Sequence, residues 1–248
     1  MIGVRRGLLA AVLSLLVMLL VLPGVGPRGA TTGLACGVVL AVATGRRAVV
    51  DRVEVLGPAD LVTMTRAVLA CGVAALVAES LLTSVDVVPA LVPVTVVALA
   101  LDFVDGRVAR RTGTASAFGG RLDGEADAFL ILVLSAYVAR SAGAWVLAMG
   151  LVRYAYAVVT WLVPWMQRPL PPRYWRKVVA AVAGITLALT ASGYAPRGVT
   201  LAALVLAWVL LAESFGWDVV WLWRRRPARV NRTDPHAVHL DMTLEQNR

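Results

Sequence analysis

Cysteine and histidine are nearly missing from this chain, with two of each in 248 residues. Cys36 and Cys71 both fall inside apolar runs and show no metal-ligand spacing. No disulfide or thiolate metal site is expected, and both read as small buried hydrophobes. His236 and His239 form a lone His-x-x-His in a polar tail. Without further ligands nearby this makes no metal site, and the tail reads as a flexible extension. Charge is scarce too. Asp, Glu, Lys and Arg make up 16% of the residues, against about a quarter in a soluble domain. With 59% hydrophobic residues and a mean hydropathy of +0.77, that shortfall excludes an ordinary soluble domain and points to a membrane protein.

The formal net charge is +9. A nucleic-acid partner is nevertheless rejected, because the basic residues sit at the ends of apolar runs rather than on one soluble face. The runs are Gly7–Leu22, Ala30–Thr44, Leu61–Leu82, Val87–Val104, Phe118–Ala139, Ala142–Trp165, Val178–Ala191 and Val199–Trp223. The fold class they predict is all-α: a polytopic membrane bundle of about eight transmembrane helices. The first run resembles a signal peptide but has no convincing cleavage site, and a second follows at once. A retained N-terminal two-helix hairpin is expected. The mixed stretch from Arg46 to Pro58 reads as a short helix lying on the membrane surface. Tryptophans and tyrosines gather near run ends, as in an interfacial aromatic belt.

With the N-terminus in the cytoplasm, alternation gives the inner ends Arg5/Arg6, Arg46/Arg47/Arg52, Arg107/Arg110/Arg111, Arg168/Arg173/Arg176/Lys177 and Arg224/Arg225/Arg226. The far side receives Arg28, Arg140 and Arg197. This orientation satisfies the positive-inside rule. It predicts an integral protein, with a bacterial cytoplasmic membrane as the expected location.

At the cytoplasmic face it also places residues 102–127, DFVDGRVARRTGTASAFGGRLDGEAD. Asp102 and Asp105 are three apart at the end of one helix; Asp123 and Asp127 are four apart near the start of the next. A helical hairpin brings all four into one cavity, where like charges repel unless cations neutralise them. Hard oxygen ligands suit Mg²⁺ or Mn²⁺, and two such ions roughly 3.5–4 Å apart serve phosphoryl chemistry. The plain alternative is a solvated loop in which Asp and Arg pair. Glu125 falls on another face and reads as solvated or interfacial.

Written out, the spacing is Asp102-x2-Asp105-Gly106-x2-Ala109-Arg110-x8-Gly119-x3-Asp123-x3-Asp127. It resembles the signature of the CDP-alcohol phosphotransferase family at all eight defined positions. Upstream, Pro58, Asp60, Thr63 and Arg66 come close to that family's Pro-Asn-x-x-Thr-x-x-Arg segment, with Ala59 inserted and Asp60 where Asn is usual. The resemblance implies a six-helix catalytic core over residues 58–223. Residues 1–57 form the extra hairpin and interfacial segment, and 224–248 a basic cytoplasmic tail. It implies transfer of a substituted phosphate from a CDP-alcohol, CDP-diacylglycerol in the preferred reading, to a hydroxyl acceptor with release of CMP. It also implies two Mg²⁺ or Mn²⁺ ions and a homodimer. Asp102, Asp105, Asp123 and Asp127 would hold the metals, with Asp127 also the general base. Asp60, Thr63, Arg66, Gly106, Ala109, Arg110 and Gly119 would meet the nucleotide.

A polyol or polyol phosphate is the preferred acceptor, with Arg153, Arg168 and Arg173 as candidate acceptor residues. Topology alone also explains the basic loop that holds Arg168 and Arg173. Arg153 lies inside an apolar run, where an unpaired arginine costs at least a few kcal/mol. It is expected to face the cavity, against an Asp or a substrate phosphate, or to make a structural ion pair. Competing readings are a CDP-choline or CDP-ethanolamine:diacylglycerol phosphotransferase, a metal-ion transporter, and an inactive scaffold of the same family.

Overall fold

The computed structural model describes residues 2–112, 116–168, 170–171 and 173–226. His236 and His239 of the tail lie outside the described residues. The helices are α1 (Val4–Val21), α2 (Pro27–Val50), α3 (Pro58–Thr83), α4 (Val88–Thr112), α5 (Ala117–Ala142), α6 (Leu147–Leu162), α7 (Tyr174–Ser192) and α8 (Arg197–Arg224).

Helix starts and stops follow local chemistry. Pro27 and Pro58 open α2 and α3, where a proline's fixed φ fits and its missing N–H costs nothing. The Asp60 carboxylate reaches back to accept the Gly57 N–H at 2.8 Å. Ser116 caps α5 by accepting the Gly119 N–H at 2.9 Å. Gly193, at φ +70°, ends α7 in the left-handed region that glycine enters without penalty.

The all-α polytopic bundle expected from the apolar runs is what forms. α1, α2, α3, α7, α8 and the segment Ala144–Leu162 are each long and apolar enough to cross a membrane. α4 carries a shorter apolar stretch, Val88–Val104. α5 is diluted by Arg121, Asp123, Glu125 and Asp127 in its first three turns. Exposed Leu9, Leu13, Val17 and Leu20 along α1 suit a surface in contact with lipid.

α3 is the hub, packing against α1, α2, α4 and α5. Of its apolar window 61% is buried, against 17% in α1 and α2, so the hairpin lies at the periphery. The main core joins α3 to α4, α5, α7 and α8 through Val73, Leu76, Leu91, Leu134, Leu187 and Leu204.

One expectation fails. Residues 46–58 form no separate surface helix: α2 runs on to Val50, and Arg52 (φ +54°) then turns the chain. Arg46 and Arg47 are good helix formers whose stems can follow apolar surface, and Arg47 pairs with Asp51 one turn on at 3.2 Å. Beyond the turn, β2 (Val55–Leu56) pairs antiparallel with β1 (Ile2–Gly3), and Leu56 is fully buried.

The starts of α3, α5 and α7 lie at one end of the bundle with the finishes of α2, α4 and α8. At the opposite end the buried Glu79 of α3 accepts the Gly29 N–H of α2 at 2.6 Å. A Cβ at Gly29 would collide with the Ala75 carbonyl oxygen of α3, so glycine there admits the close approach of the two helices, and a Cβ at Gly26 would meet the Glu79 carboxylate. Arg140 donates to the Ser80 carbonyl at 3.0 Å, beside the joint.

Candidate active site

Asp123 and Asp127 are one turn apart on α5 and point the same way, towards α3 and the end of α4. Asp102 of α4 meets them there. Each of the three offers a carboxylate oxygen within 4.8 Å of the others. Asp123 is 5% exposed, so its charge needs a partner close at hand.

Arg66 supplies one. It is 2% exposed, and its guanidinium pairs with Asp123 and Asp127, with Asp102 at 3.1 Å. Its Nε donates to the Ala98 carbonyl of α4 at 3.2 Å. Lys177 of α7 takes the other oxygen of Asp123 at 2.7 Å. Four helices thus meet at one cluster of opposed charges.

A cavity of ≈440 Å³ opens beside it between α5, α6, α7 and α8. Asp123 and Asp127 form part of one wall. Arg153, Arg173, Arg176 and Lys177 make the other walls basic, while Ile131, Met149 and Leu211 make the interior apolar. All four cations are already paired: Lys177 with Asp123, Arg153 with Glu125, Arg176 with Asp218 at 2.8 Å, and Arg173 with Glu213 at 3.3 Å and over the Trp217 ring at 4.2 Å.

Of the residues singled out in the sequence, the structure brings Asp102, Asp123, Asp127 and Arg66 together. Asp60 and Thr63 lie on the first turns of α3 and make local contacts: the Gly57 N–H to Asp60, and Thr63 to the Ala59 carbonyl at 3.1 Å. A Cβ at Gly119 would collide with Asp60, so small size there serves the contact of α3 with α5. Gly106 is half-buried on α4. The side chains of Asp105, Ala109 and Arg110 lie outside the described residues, although α4 carries their backbone. Arg153 does face the cavity and makes the ion pair that was its other expected role, with Glu125 at 2.6 Å rather than with an Asp. Glu125 correspondingly has a partner as well as exposure. Arg173 lines the cavity; Arg168 is not among its lining residues and donates to the Arg225 carbonyl.

Sequence reasoning missed three participants. Lys177 belongs to a basic loop that topology explains, with an acceptor phosphate as the alternative partner, yet it sits on Asp123. Glu213 and Asp218 were overlooked, although both interrupt the apolar run Val199–Trp223. Intramembrane carboxylates are costly enough that each signals a partner, and Asp218, 4% exposed, has Arg176.

The periphery adds a strap. Asp51, just past α2, pairs with Arg121 of α5's second turn. The hydrogen bond from Arg121 holds the Asp51 carboxyl below its ordinary range, with the charges of Arg121 and Arg47 adding to it.

An all-oxygen carboxylate set fits a hard divalent cation. A polytopic helical bundle with such a cluster, a cationic rim and an adjoining cavity at one end fits the class of integral membrane proteins with a charged site at one end of the bundle. The model of the CDP-alcohol phosphatidyltransferase family matches residues 56–215, well over half the chain. The chain belongs to that family, whose members are transferases that use a CDP-alcohol and an alcohol acceptor and generally a divalent metal. No curated protein and no solved structure matches it.

Proposed function

We propose that the protein transfers a phosphatidyl group from CDP-diacylglycerol to the hydroxyl of a polyol or polyol phosphate, releasing CMP, at the cytoplasmic face of a bacterial membrane. The observation that carries this reading is the convergence of Asp102, Asp123 and Asp127 beside a cavity that is basic at its rim and apolar within. A lipid donor needs both surfaces, one for its diphosphate and one for its acyl chains. The one-sided arginine distribution supports the orientation.

In this reading Asp102, Asp105, Asp123 and Asp127 would hold two Mg²⁺ or Mn²⁺ ions. The metal, when bound, neutralises the donor diphosphate and the departing phosphate of CMP. Asp127 accepts the proton of the acceptor hydroxyl. That oxygen bonds to the phosphorus bearing the diacylglycerol, the phosphoanhydride bond to CMP breaks, and CMP leaves with the bonding electrons. Gly106, Ala109 and Gly119 keep bulk away from the nucleotide, while Asp60, Thr63, Arg66 and Arg110 contact it. Arg173, with Arg153, Arg176 and Lys177, orients an anionic acceptor across the cavity.

CMP release tests the reading, with purified protein in lipid vesicles, CDP-diacylglycerol, and Mg²⁺ or Mn²⁺. The acceptors are inositol phosphate, glycerol phosphate, inositol, serine and a blank, and product lipids are identified by mass. Release with one acceptor is expected. Silence across the panel, with turnover of CDP-choline or CDP-ethanolamine and diacylglycerol, would reverse the direction. Silence in both, with no stabilisation by CMP and metal, would sink the transferase reading for this chain.

A further inference from the structure

We infer that Arg66 is the site's resident counter-cation: in the metal-free protein its guanidinium holds Asp102, Asp123 and Asp127 together, and a divalent cation enters by displacing it. The inference rests on the proposed metal role of those carboxylates.

Three carboxylates from two helices would repel one another if nothing stood between them. Among the described residues, the planar guanidinium fork of Arg66 stands there, reaching across from a third helix. An arginine stays charged in proteins and cannot relieve burial by losing its proton. At 2% exposure it therefore depends on its partners as much as they depend on it. The Ala98 carbonyl, 3.2 Å from Nε, fixes the base of the fork and aims both terminal nitrogens at the acidic cluster. Lys177 differs. It is 52% exposed and touches the outer oxygen of Asp123, so it belongs to the rim.

Arg66 thus occupies the electrostatic position that the metal would fill. The carboxylates are assembled before any ion arrives, which keeps the helix ends in register without metal. The cost falls on affinity: ion binding is measured against the guanidinium contacts it replaces. Once displaced, the guanidinium is still beside the cleft, where the donor diphosphate supplies the anionic partner it has lost. The same residue would then serve assembly in one state and substrate in the next.

The test uses full-length protein in lipid nanodiscs without substrate, comparing the parent with Arg66→Gln and Arg66→Lys. Mn²⁺ is titrated by calorimetry, and unfolding temperature is followed with and without the ion. Metal-free Arg66→Gln is expected to unfold several degrees below the parent, and saturating Mn²⁺ is expected to close the gap. Mn²⁺ should bind Arg66→Gln at least about tenfold more tightly, the factor that one lost charge-assisted hydrogen bond corresponds to. Arg66→Lys should fall between. Equal or weaker binding to a folded Arg66→Gln overturns the inference while leaving the metal reading intact. A parent that binds no Mn²⁺ overturns both. If Arg66→Gln does not fold, phenylglyoxal labelling of the parent, mapped by peptide mass, decides: Mn²⁺ should raise labelling at Arg66, and no change overturns the inference.

Discussion

Carboxylates gather at both ends of α3, and Glu79 at one end is satisfied in the opposite way from the Asp102, Asp123 and Asp127 cluster at the other. Glu79 is met by the backbone N–H of Gly29 and walled in by glycines that let α2 approach. Backbone donors are fixed, and such a carboxylate has one arrangement. At the other end, Asp102, Asp123 and Asp127 are met by the side chains of Arg66 and Lys177 beside an open cavity. Side-chain cations can move and be exchanged for other cations. Burial alone therefore does not distinguish a carboxylate fixed in the framework from one whose partners can be exchanged; the kind of partner and the space beside it do.

The largest separation of the two ends should come from Asp127→Asn. It is expected to lower turnover by about 10²–10⁴-fold, the usual worth of a positioned acid–base group, with the protein still folded and inserted. CMP release and thermal unfolding measured on one preparation check it, and turnover near the parent's would remove Asp127 as the base. Glu79→Ala should do the reverse. Loss of a hydrogen bond to a charged acceptor is expected to lower stability by roughly 1.5–3 kcal/mol while CMP release per folded molecule holds. An equal fall in turnover would show that the ends are not separable.

Asp218→Asn sharpens the comparison at the cavity rim. Its partner Arg176 is partly exposed, so a loss of about 1 kcal/mol is expected by denaturant unfolding. The smallest effect belongs to the Asp51–Arg121 strap. Asp51 has a lowered carboxyl in the folded state, so its contribution is present above the unfolded value. It is lost as pH falls from roughly 4 through the folded one. Unfolding temperature followed from pH 6 to pH 3 should drop slightly more for the parent than for Asp51→Asn. Identical curves would show that the strap contributes nothing.

Much of this was legible in the chain. Apolar run lengths marked the spans, and the Asp spacing on one helix face foretold that Asp123 and Asp127 would converge with Asp102. Helix ends were less legible. Arg46 and Arg47 looked like a membrane boundary, but an arginine stem can follow the bilayer surface while its backbone stays helical. Least legible were pairs whose members lie far apart in sequence, Lys177 with Asp123 and Arg176 with Asp218. Each charge was visible, but only tertiary packing decides which cation meets which carboxylate. The buried Glu79 is of the same kind, since its partner is a backbone group that no side-chain pattern advertises.

The joint between Glu79 and Gly29 also implies an order of events during biogenesis. The two residues are 50 apart in the chain, and Gly29 is made first. As α2 emerges, the carboxylate that will serve its first turn does not yet exist. It comes into place when α3 has carried Glu79 through the bilayer to the side where α2 begins. The hairpin would therefore wait, loosely held, for the third helix to be threaded. A nascent chain stalled with α2 already outside the ribosome and the end of α3 still inside it should leave α1 and α2 inserted yet undocked, open to a crosslinker or protease that the finished chain excludes.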